Sequence, residues 1–215
     1  MRGGSLTAER RPWCARLRSV IQSAPLRRSF YERQTLDVAK DLLGKVLVRN
    51  IDGATVTGRI VETEAYRGAD DPASHAFRGM TRRNSIMFGH GGLAYVYFVY
   101  GRNWCLNATT ERTGRPGAVL IRALEPVAGL AQMAARRGVT DILKLTSGPG
   151  RLTQALGVTG EQNGTDLTRD EDLYICSLGR TAGVPWVASS RVGVGSGSRL
   201  LWRFSAEGSR FVSRR

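Results

Sequence analysis

The sequence predicts a single α+β domain built on a mixed, mostly antiparallel sheet. Strand-like runs outnumber helical stripes, and short turns rich in Gly and Asn join several of these runs. The 215 residues contain neither an internal repeat nor a linker that would divide them. We therefore expect one domain over 29–215, preceded by a basic, disordered tail over 1–28.

The tail is predicted from composition. Residues 1 to about 29 hold seven arginines and a single acid, Glu9, among scattered Ser and Pro. Such a segment buries too little apolar surface to offset the entropy of ordering it. Arg-rich leaders with few acids are also typical of organelle transit peptides, and that alternative stays open.

The first half of the domain contains one helix and two strands. An apolar stripe predicts a helix that Thr35 caps and Gly44 ends. The run "KVLVRN" then predicts a strand, and Asp52-Gly53 is a typical hairpin turn. The next strand runs through "ATVTGRIVETEAY".

A polar, Gly-rich connection over 67–92 is too long for an idle loop. The run "LAYVYFVYGRNWCLNATT" then predicts a hairpin, "AVLIRALEP" a strand, and "PVAGLAQMAARR" a helix that ends at Gly138. Ser147 can cap a last helix, which Gly157 closes. The runs "SRVGVG" and "WRFSAEGSRFVS" predict short strands.

The formal net charge is +14, and the excess is nearly all arginine. A balance this basic suits a polyanionic partner, either nucleic acid or an anionic membrane surface, although biased codon usage would also produce it. No transmembrane helix is predicted, because no run of about 18 apolar residues is present. Three distant cysteines and two histidines form no disulfide framework and argue against a zinc site.

Candidate chemistry begins in the strand "RIVETEAY". Because alternate side chains of a strand share a face, Glu62, Glu64 and Tyr66 point the same way. A carboxylate beside a water can act as a general base, but two acids paired with arginines would be purely structural. Arg122, within an apolar strand, needs an anion, and could pair with either glutamate or bind a phosphate.

The predicted hairpin is rich in aromatic residues. Tyr95 and Tyr97 share one face of its first strand, whereas Tyr100 lies on the other face at the tip. Core packing is the better explanation for Phe98. A tip aromatic such as Tyr100, in a basic protein, can instead act as a wedge between base pairs.

Three further residues have both a functional and a structural explanation. Tyr66 and His75 supply flat rings that could sandwich a nucleobase, although His75 could equally be a surface histidine. The amide of Asn107 could contact a base edge or simply satisfy backbone groups.

These motifs together resemble the alkyladenine DNA glycosylase family, also called the 3-methyladenine DNA glycosylase family. The similarity covers roughly residue 29 to the end, and the combination is specific although each piece alone is weak. The matching motifs, in order, are "RIVETEAY", the histidine of "ASHAFRG", "RN..MF", "YVYFVYG", "CLN", "VLIRALEP", "SGPGRLTQALG", "NGTDL" and "RVGVG".

The resemblance implies one domain around a curved, mostly antiparallel, partly open barrel-like sheet, with surrounding helices and a protruding hairpin that inserts into DNA. It implies a monofunctional hydrolase that starts base excision repair by removing damaged purines, such as 3-methyladenine, hypoxanthine and ethenoadenine, from double-stranded DNA. It implies no metal or other cofactor, no membrane partner and a monomer. We expect the cytoplasm and its nucleoid if the source is bacterial, and the nucleus if it is eukaryotic.

The resemblance also assigns roles to matched positions. Glu64 is similar to the general base and Arg122 to its positioning partner. The pocket walls correspond to Tyr66, His75 and Tyr97, the residue that disfavours the amine of guanine to Asn107, and the DNA-intercalating wedge to Tyr100. One departure is the short segment over 196–203, which puts the DNA-backbone contacts of that loop in doubt.

Two other classes stay open. A non-enzymatic binding module, directed to RNA for example, is compatible with the charge, glycines and aromatics, but it leaves Glu64 without a task. A bifunctional glycosylase and lyase would need an amine nucleophile. None of the three lysines falls among the proposed pocket residues.

Overall fold

The computed structural model describes residues 24–99, 101, 103–169, 172–177, 183–195 and 199–213. The strands are β1 Val46–Ile51, β2 Ala54–Tyr66, β3 Ala94–Val99, β4 Asn103–Thr109, β5 Ala118–Ala128, β6 Leu173–Cys176, β7 Trp186–Ser189 and β8 Arg203–Ala206. The α-helices are α1 Arg28–Tyr31, α2 Thr35–Asp41, α3 Leu130–Arg137 and α4 Pro149–Leu156. Within these ranges no helix is long and apolar enough to cross a membrane.

All eight strands belong to one curved sheet. Its order is β3-β4-β5-β2-β1-β6, and β8 lies beside the second half of β2 with β7 outside it. Every pairing between these strands is antiparallel. Within the described residues the result is a half-barrel with four α-helices around it, which confirms the predicted α+β class.

Strand β2 is the long central strand that positions the site. One edge of β2 pairs along its length with β5, and the other pairs first with β1 and then with β8. The Thr63 hydroxyl donates to the carbonyl of Ala39 in α2, at 2.9 Å. Glu62 and Glu64 both contact Arg122, so they share a face of the strand, as predicted.

The main core lies between the sheet and helices α2, α3 and α4. Each helix contributes apolar side chains from one stripe, as expected for helices packed on a sheet. The fully buried members from these three helices are Val38, Ala39, Met133, Leu152, Ala155 and Leu156. This core holds β2 and β5 rigidly from behind, so their other face can carry polar groups.

The predicted turns were mostly confirmed, whereas two predicted helix caps were wrong. Helix α2 has Gln34 at its N-cap, and the backbone N–H and hydroxyl of Thr35 instead donate to the Glu111 carboxylate at 2.8 and 2.9 Å. Helix α4 has Gly148 at its N-cap, one residue after Ser147. In the first case a distant carboxylate supplies the acceptor that the local sequence lacks.

The C-terminal third departs most from the prediction. The segment "SRVGVG" is a turn rather than a strand, and strands β6 and β7 were not predicted. The short C-terminal segments take their structure from neighbouring strands, which local periodicity cannot show.

Phe98 of β3, for which core packing was predicted, is not in the core. It is 46% exposed, and its ring packs against Trp104 with ring centroids 4.8 Å apart.

Two predictions fall largely outside the described residues. Of the tail predicted over 1–28, residues 1–23 lie outside, while Leu26 already donates its N–H to the carbonyl of Ile175 at 2.8 Å. The β3–β4 hairpin is present, but its tip residue Tyr100 lies outside the described residues. The disordered tail and the DNA-inserting role of the hairpin therefore stay predictions.

Gly58 allows the close approach of β5 to β2 at a register shift. A Cβ at this position would lie 2.8 Å from Leu124 Cβ and 3.3 Å from the carbonyl oxygen of Glu125. We expect Gly58→Ala to lower the free energy of unfolding by about 1–3 kcal/mol, because the overpacked strands must separate. Urea denaturation measures this loss.

Gly183→Ala is the matched control, because a Cβ at that position would meet nothing within 4 Å and the φ of Gly183 is not left-handed. We expect that control to stay within about 0.5 kcal/mol of the unsubstituted protein. An equal loss for both substitutions would contradict the packing role of Gly58.

Candidate active site

A cavity of about 570 Å³ opens beside β2, β3, β4 and β5. Five of the seven residues singled out from the sequence line it: Tyr66, His75, Tyr97, Asn107 and Arg122. The sixth, Glu64, is fully buried directly behind the wall that Tyr66, Arg122 and Val192 form. Tyr100 lies outside the described residues, so its place relative to the cavity stays a prediction.

The Glu64 carboxylate is held by three donors. Its Oε2 accepts from the Tyr66 hydroxyl at 2.8 Å and lies 3.3 Å from Arg122 Nη1. Its Oε1 accepts from the backbone N–H of Val192 at 2.7 Å. Because all three neighbours donate, the arrangement suits a carboxylate rather than a protonated acid.

Glu62 lies two residues earlier on the same face, and it has a structural role. Its Oε1 accepts from Arg122 Nε at 3.0 Å and from Arg203 Nε at 2.7 Å. Ser213 adds its backbone N–H to Oε2 at 2.6 Å and its hydroxyl to Oε1 at 2.9 Å. For Glu62 the structure therefore shows the structural alternative left open by the sequence, an acid paired with arginines.

Arg122 links the two glutamates. Burial alone would lower the pKa of its guanidinium, but Glu64 and Glu62 together raise it. The side chain contacts Glu62 through Nε and Glu64 through Nη1, so one planar group fixes two carboxylates at once. Of the alternatives for Arg122, the ion pair with both glutamates is the one observed.

Aromatic rings form the wall of the cavity on β3 and on the connection before it. His75 and Tyr97 meet edge to face with centroids 4.6 Å apart, and Tyr95 and Tyr97 lie 5.0 Å apart. His75 Nδ1 lies 2.9 Å from the Tyr95 hydroxyl, within hydrogen-bonding distance. The guanidinium of Arg83 lies 5.2 Å from the Tyr97 ring centroid, at the rim.

The ionisation of the wall follows from its burial. Burial, together with the nearby Arg83 charge, lowers the pKa of His75, so the ring is neutral near pH 7. Burial, reinforced by Glu64, raises the pKa of Tyr66 far above its usual range, and burial does the same for Tyr97. Burial also raises the pKa of the Cys105 thiol, to about 11.

Asn107 lies opposite Tyr95 on β4 and is almost fully buried. Its Nδ2 donates to the backbone carbonyl of Tyr95 at 3.0 Å, which fixes the orientation of the amide. The amide nitrogen of Asn107 therefore satisfies a backbone carbonyl, which was the structural alternative. The side chain also lines the cavity.

Three parts of the site were not predicted from the sequence. Val192 acts through its backbone N–H, for which no side-chain pattern exists. Arg203 reaches Glu62 only because β8 pairs with β2. Tyr95 was recognised as sharing a face with Tyr97, and that alternation was the signal that could have placed it in the wall.

No group of three or more His, Cys, Asp or Glu side chains that could hold a metal ion occurs in the described part of the chain. The described residues provide a carboxylate, an arginine and a cluster of aromatic rings beside a cavity. Such a set can bind a flat, electron-poor or cationic group and place beside it a carboxylate that can act as a general base.

Comparison with known proteins gives one consistent result. The model of a family described as Methylpurine-DNA glycosylase (MPG) matches residues 29–210. A protein of Methanoculleus marisnigri named "Putative 3-methyladenine DNA glycosylase" is 52% identical over 191 residues, which cover 87% of this chain and 97% of that protein. Proteins with the same name from Carboxydothermus hydrogenoformans and Rhodopseudomonas palustris are 47% and 46% identical, covering 88% and 93% of this chain and 99% and 96% of their own lengths.

The two glutamates should differ in their contribution to stability. Glu62→Gln removes a buried charge that neutralises both Arg122 and Arg203, so we expect a loss of about 3–5 kcal/mol in the free energy of unfolding. Glu64→Gln should cost less, because Arg122 keeps Glu62 and the glutamine oxygen can still accept from Val192. Urea denaturation of both variants at neutral pH tests this order, and an equal or reversed loss would contradict it.

Proposed function

The chain belongs to the methylpurine-DNA glycosylase family, and we propose that it hydrolyses the N-glycosidic bond of damaged purines in double-stranded DNA. The proposed substrates are purines of the 3-methyladenine, hypoxanthine and ethenoadenine type. The observation that supports this most is the Glu64 carboxylate, held by three donors immediately behind a cavity with aromatic walls. The names of the relatives support the 3-methyladenine class.

The cavity suits a base that has left the helix. Its volume of about 570 Å³ falls within the range of small-molecule sites, roughly 300–1,000 Å³. A base within a stacked duplex hides its glycosidic bond, so the nucleotide must flip out at a cost of a few kcal/mol. A damaged or mispaired base flips more readily, which contributes to selectivity.

Selectivity for alkylated bases would come from the rings. Tyr66, His75 and Tyr97 present π-systems, and a cationic alkylated purine is attracted to them more strongly than a neutral one. Because His75 is neutral near pH 7, its ring does not repel that cation. The fixed amide of Asn107 would occupy the space that the exocyclic amine of guanine needs.

In the proposed chemistry Glu64 deprotonates the attacking water. Loss of the base gives the sugar oxocarbenium character, and a nearby carboxylate both activates water and stabilises that charge. Arg122 keeps the carboxylate in place through Nη1. Because Glu64 is fully buried, water can reach its carboxylate only if one of its hydrogen-bond partners moves. Tyr66 and Val192 are the partners to move in this proposal, because both residues line the cavity.

The rest of the molecule fits a DNA substrate. The net charge of +14 favours association with a phosphate backbone, and we propose that the protein acts as a monomer. We expect it to work where chromosomal DNA is found, the nucleoid in a bacterium or the nucleus in a eukaryote.

Excision across a panel of lesions tests the proposal. We expect the purified protein to release at least one of 3-methyladenine, hypoxanthine or ethenoadenine from duplex oligonucleotides under single-turnover conditions. We expect Glu64→Gln to bind the same DNA but to cut at least about a hundredfold more slowly, because general base catalysis typically contributes 10²–10⁴-fold.

Glu125→Gln is a suitable control, because its carboxylate pairs with Arg59 on the exposed part of the sheet. Near-normal turnover by Glu64→Gln would show that another group activates the water. No release of any lesion by the unsubstituted protein, together with tight RNA binding, would favour the non-enzymatic module instead.

Tyr100 is proposed to fill the gap that the flipped nucleotide leaves. We expect Tyr100→Ser to weaken binding to lesion-containing duplex more than binding to undamaged duplex, because only the flipped state contains the gap. Titration of fluorescent oligonucleotides at fixed salt measures both affinities. An equal loss on the two DNAs would argue against a wedge.

A further inference from the structure

We propose that Asp71 and Arg191 are positioning residues for the hydrolysis of the glycosidic bond. They fix the position of the Glu64 carboxylate relative to the Tyr66 ring. This inference rests on the proposed function, because it concerns the alignment of the same base and the same wall. Neither residue lines the cavity, so neither is a catalytic residue.

The two side chains form a closed, dry ion pair. Both are completely buried, with Arg191 Nη1 2.6 Å from Asp71 Oδ2 and Nη2 2.7 Å from Oδ1. Removing charges from water is costly, and two parallel hydrogen bonds at such distances are the geometry that compensates for it. The two bonds fix the orientation of the guanidinium relative to the carboxylate.

Arg191 contacts the Tyr66 ring and the β2 backbone beside it, and the residue that follows Arg191 contacts Glu64. Its guanidinium lies over the Tyr66 ring, 4.6 Å from the centroid, on the wall that Tyr66 contributes. Nη1 also donates to the carbonyl of Ala65, between Glu64 and Tyr66, at 2.9 Å. The next residue, Val192, donates its N–H to Glu64 Oε1. One side chain therefore supports the ring, and its neighbour's backbone supports the carboxylate.

Asp71 links the ion pair to the segment between Tyr66 and His75. Its Oδ2 accepts the N–H of Arg67, directly after Tyr66, at 3.0 Å, and its Oδ1 accepts the N–H of Ala73 at 3.1 Å. Ala73 lines the cavity two residues before His75. The carboxylate thus fixes the start of the connection that carries the His75 ring.

The planar guanidinium is needed for this combination of contacts. Arginine can stack flat against a ring while its fork binds a carboxylate with two parallel bonds, whereas lysine offers a single point charge. Arg191→Lys should therefore keep the charge pair but lose the stack on Tyr66 and one of the two bonds to Asp71. This substitution therefore tests the positioning of the Tyr66 ring without removing the positive charge that neutralises Asp71.

The experiment compares single-turnover excision and lesion-DNA affinity of Arg191→Lys with those of the unsubstituted protein, on whichever lesion the latter releases. We expect the excision rate constant to fall roughly tenfold or more, since small misplacements of reacting groups cost up to about a hundredfold. We expect the dissociation constant for lesion DNA to change much less than the rate. A rate within about twofold of the unsubstituted protein would overturn the proposal.

Arg28→Lys is the matched control. Arg28 also donates through Nη1 to a backbone carbonyl, that of Gly91 at 2.7 Å, and through Nη2 to a carboxylate, that of Asp166 at 2.5 Å. None of its hydrogen-bond partners among the described residues lines the cavity, so its substitution should leave the excision rate unchanged. An equal fall in rate for both lysine variants would overturn the proposal.

A double variant separates positioning from folding. Asp71→Asn combined with Arg191→Met leaves no unpaired buried charge, so we expect its melting temperature to exceed that of Arg191→Met alone. Its excision rate should stay low, because the stack on Tyr66 and the fork are both absent. Recovery of the rate together with stability would overturn the proposal, as would the absence of a cooperative unfolding transition in Arg191→Lys.

The same assays distinguish the two levels of inference. If the unsubstituted protein releases no lesion, the proposed function itself fails. If it releases a lesion and Arg191→Lys matches it, the function stands and only the positioning role of the pair fails.

Discussion

Two glutamates and two arginines lie buried or nearly buried at the centre of the half-barrel, and the candidate site depends on their neutralising one another. Glu62 and Glu64 are fully buried, and Arg122 and Arg203 are nearly so. An isolated charge in such a place would cost several kcal/mol, so the four side chains can be buried only together. This explains why β2, β5 and β8 meet at this point of the sheet.

The division of labour between the two acids follows from that constraint. Glu62 contacts both arginines and Ser213, so its position is over-determined. Glu64 shares only one arginine, and its other contacts are the Tyr66 hydroxyl and the Val192 N–H, from two residues that line the cavity. The acid with the structural role and the acid proposed as general base are thus alternate residues on one face of one strand. Glu62 neutralises Arg203 and shares Arg122, so Glu64 has fewer structural contacts than its neighbour.

Much of the fold was predictable because it is encoded locally. Strand β2 has the predicted bounds, and Asp52-Gly53, Gly138 and Gly157 end their elements where expected. Alternation placed Glu62, Glu64 and Tyr66 together, since the side-chain period of a strand is fixed.

What could not be predicted depends on long-range contacts. Glu111 replaces the expected cap at Thr35 from 76 residues away, and the amide of Val192 reaches Glu64 from 128 residues away. The turn "SRVGVG" resembles a strand in composition, but its backbone is used by the site rather than by the sheet. A single sequence carries no signal for a backbone N–H that acts across such a separation.

The ionisation of Cys105 has a consequence for the durability of the protein. Its thiol lines the cavity beside the aromatic wall, and its pKa of about 11 keeps it protonated at neutral pH. The nucleophilic form of cysteine is the thiolate, so a thiol in this state reacts slowly with electrophiles. A cell in which purines are being alkylated contains such electrophiles, and a reactive sulfur in this cavity would be an early target. The protonated Cys105 thiol is therefore expected to react slowly with alkylating agents that reach the cavity.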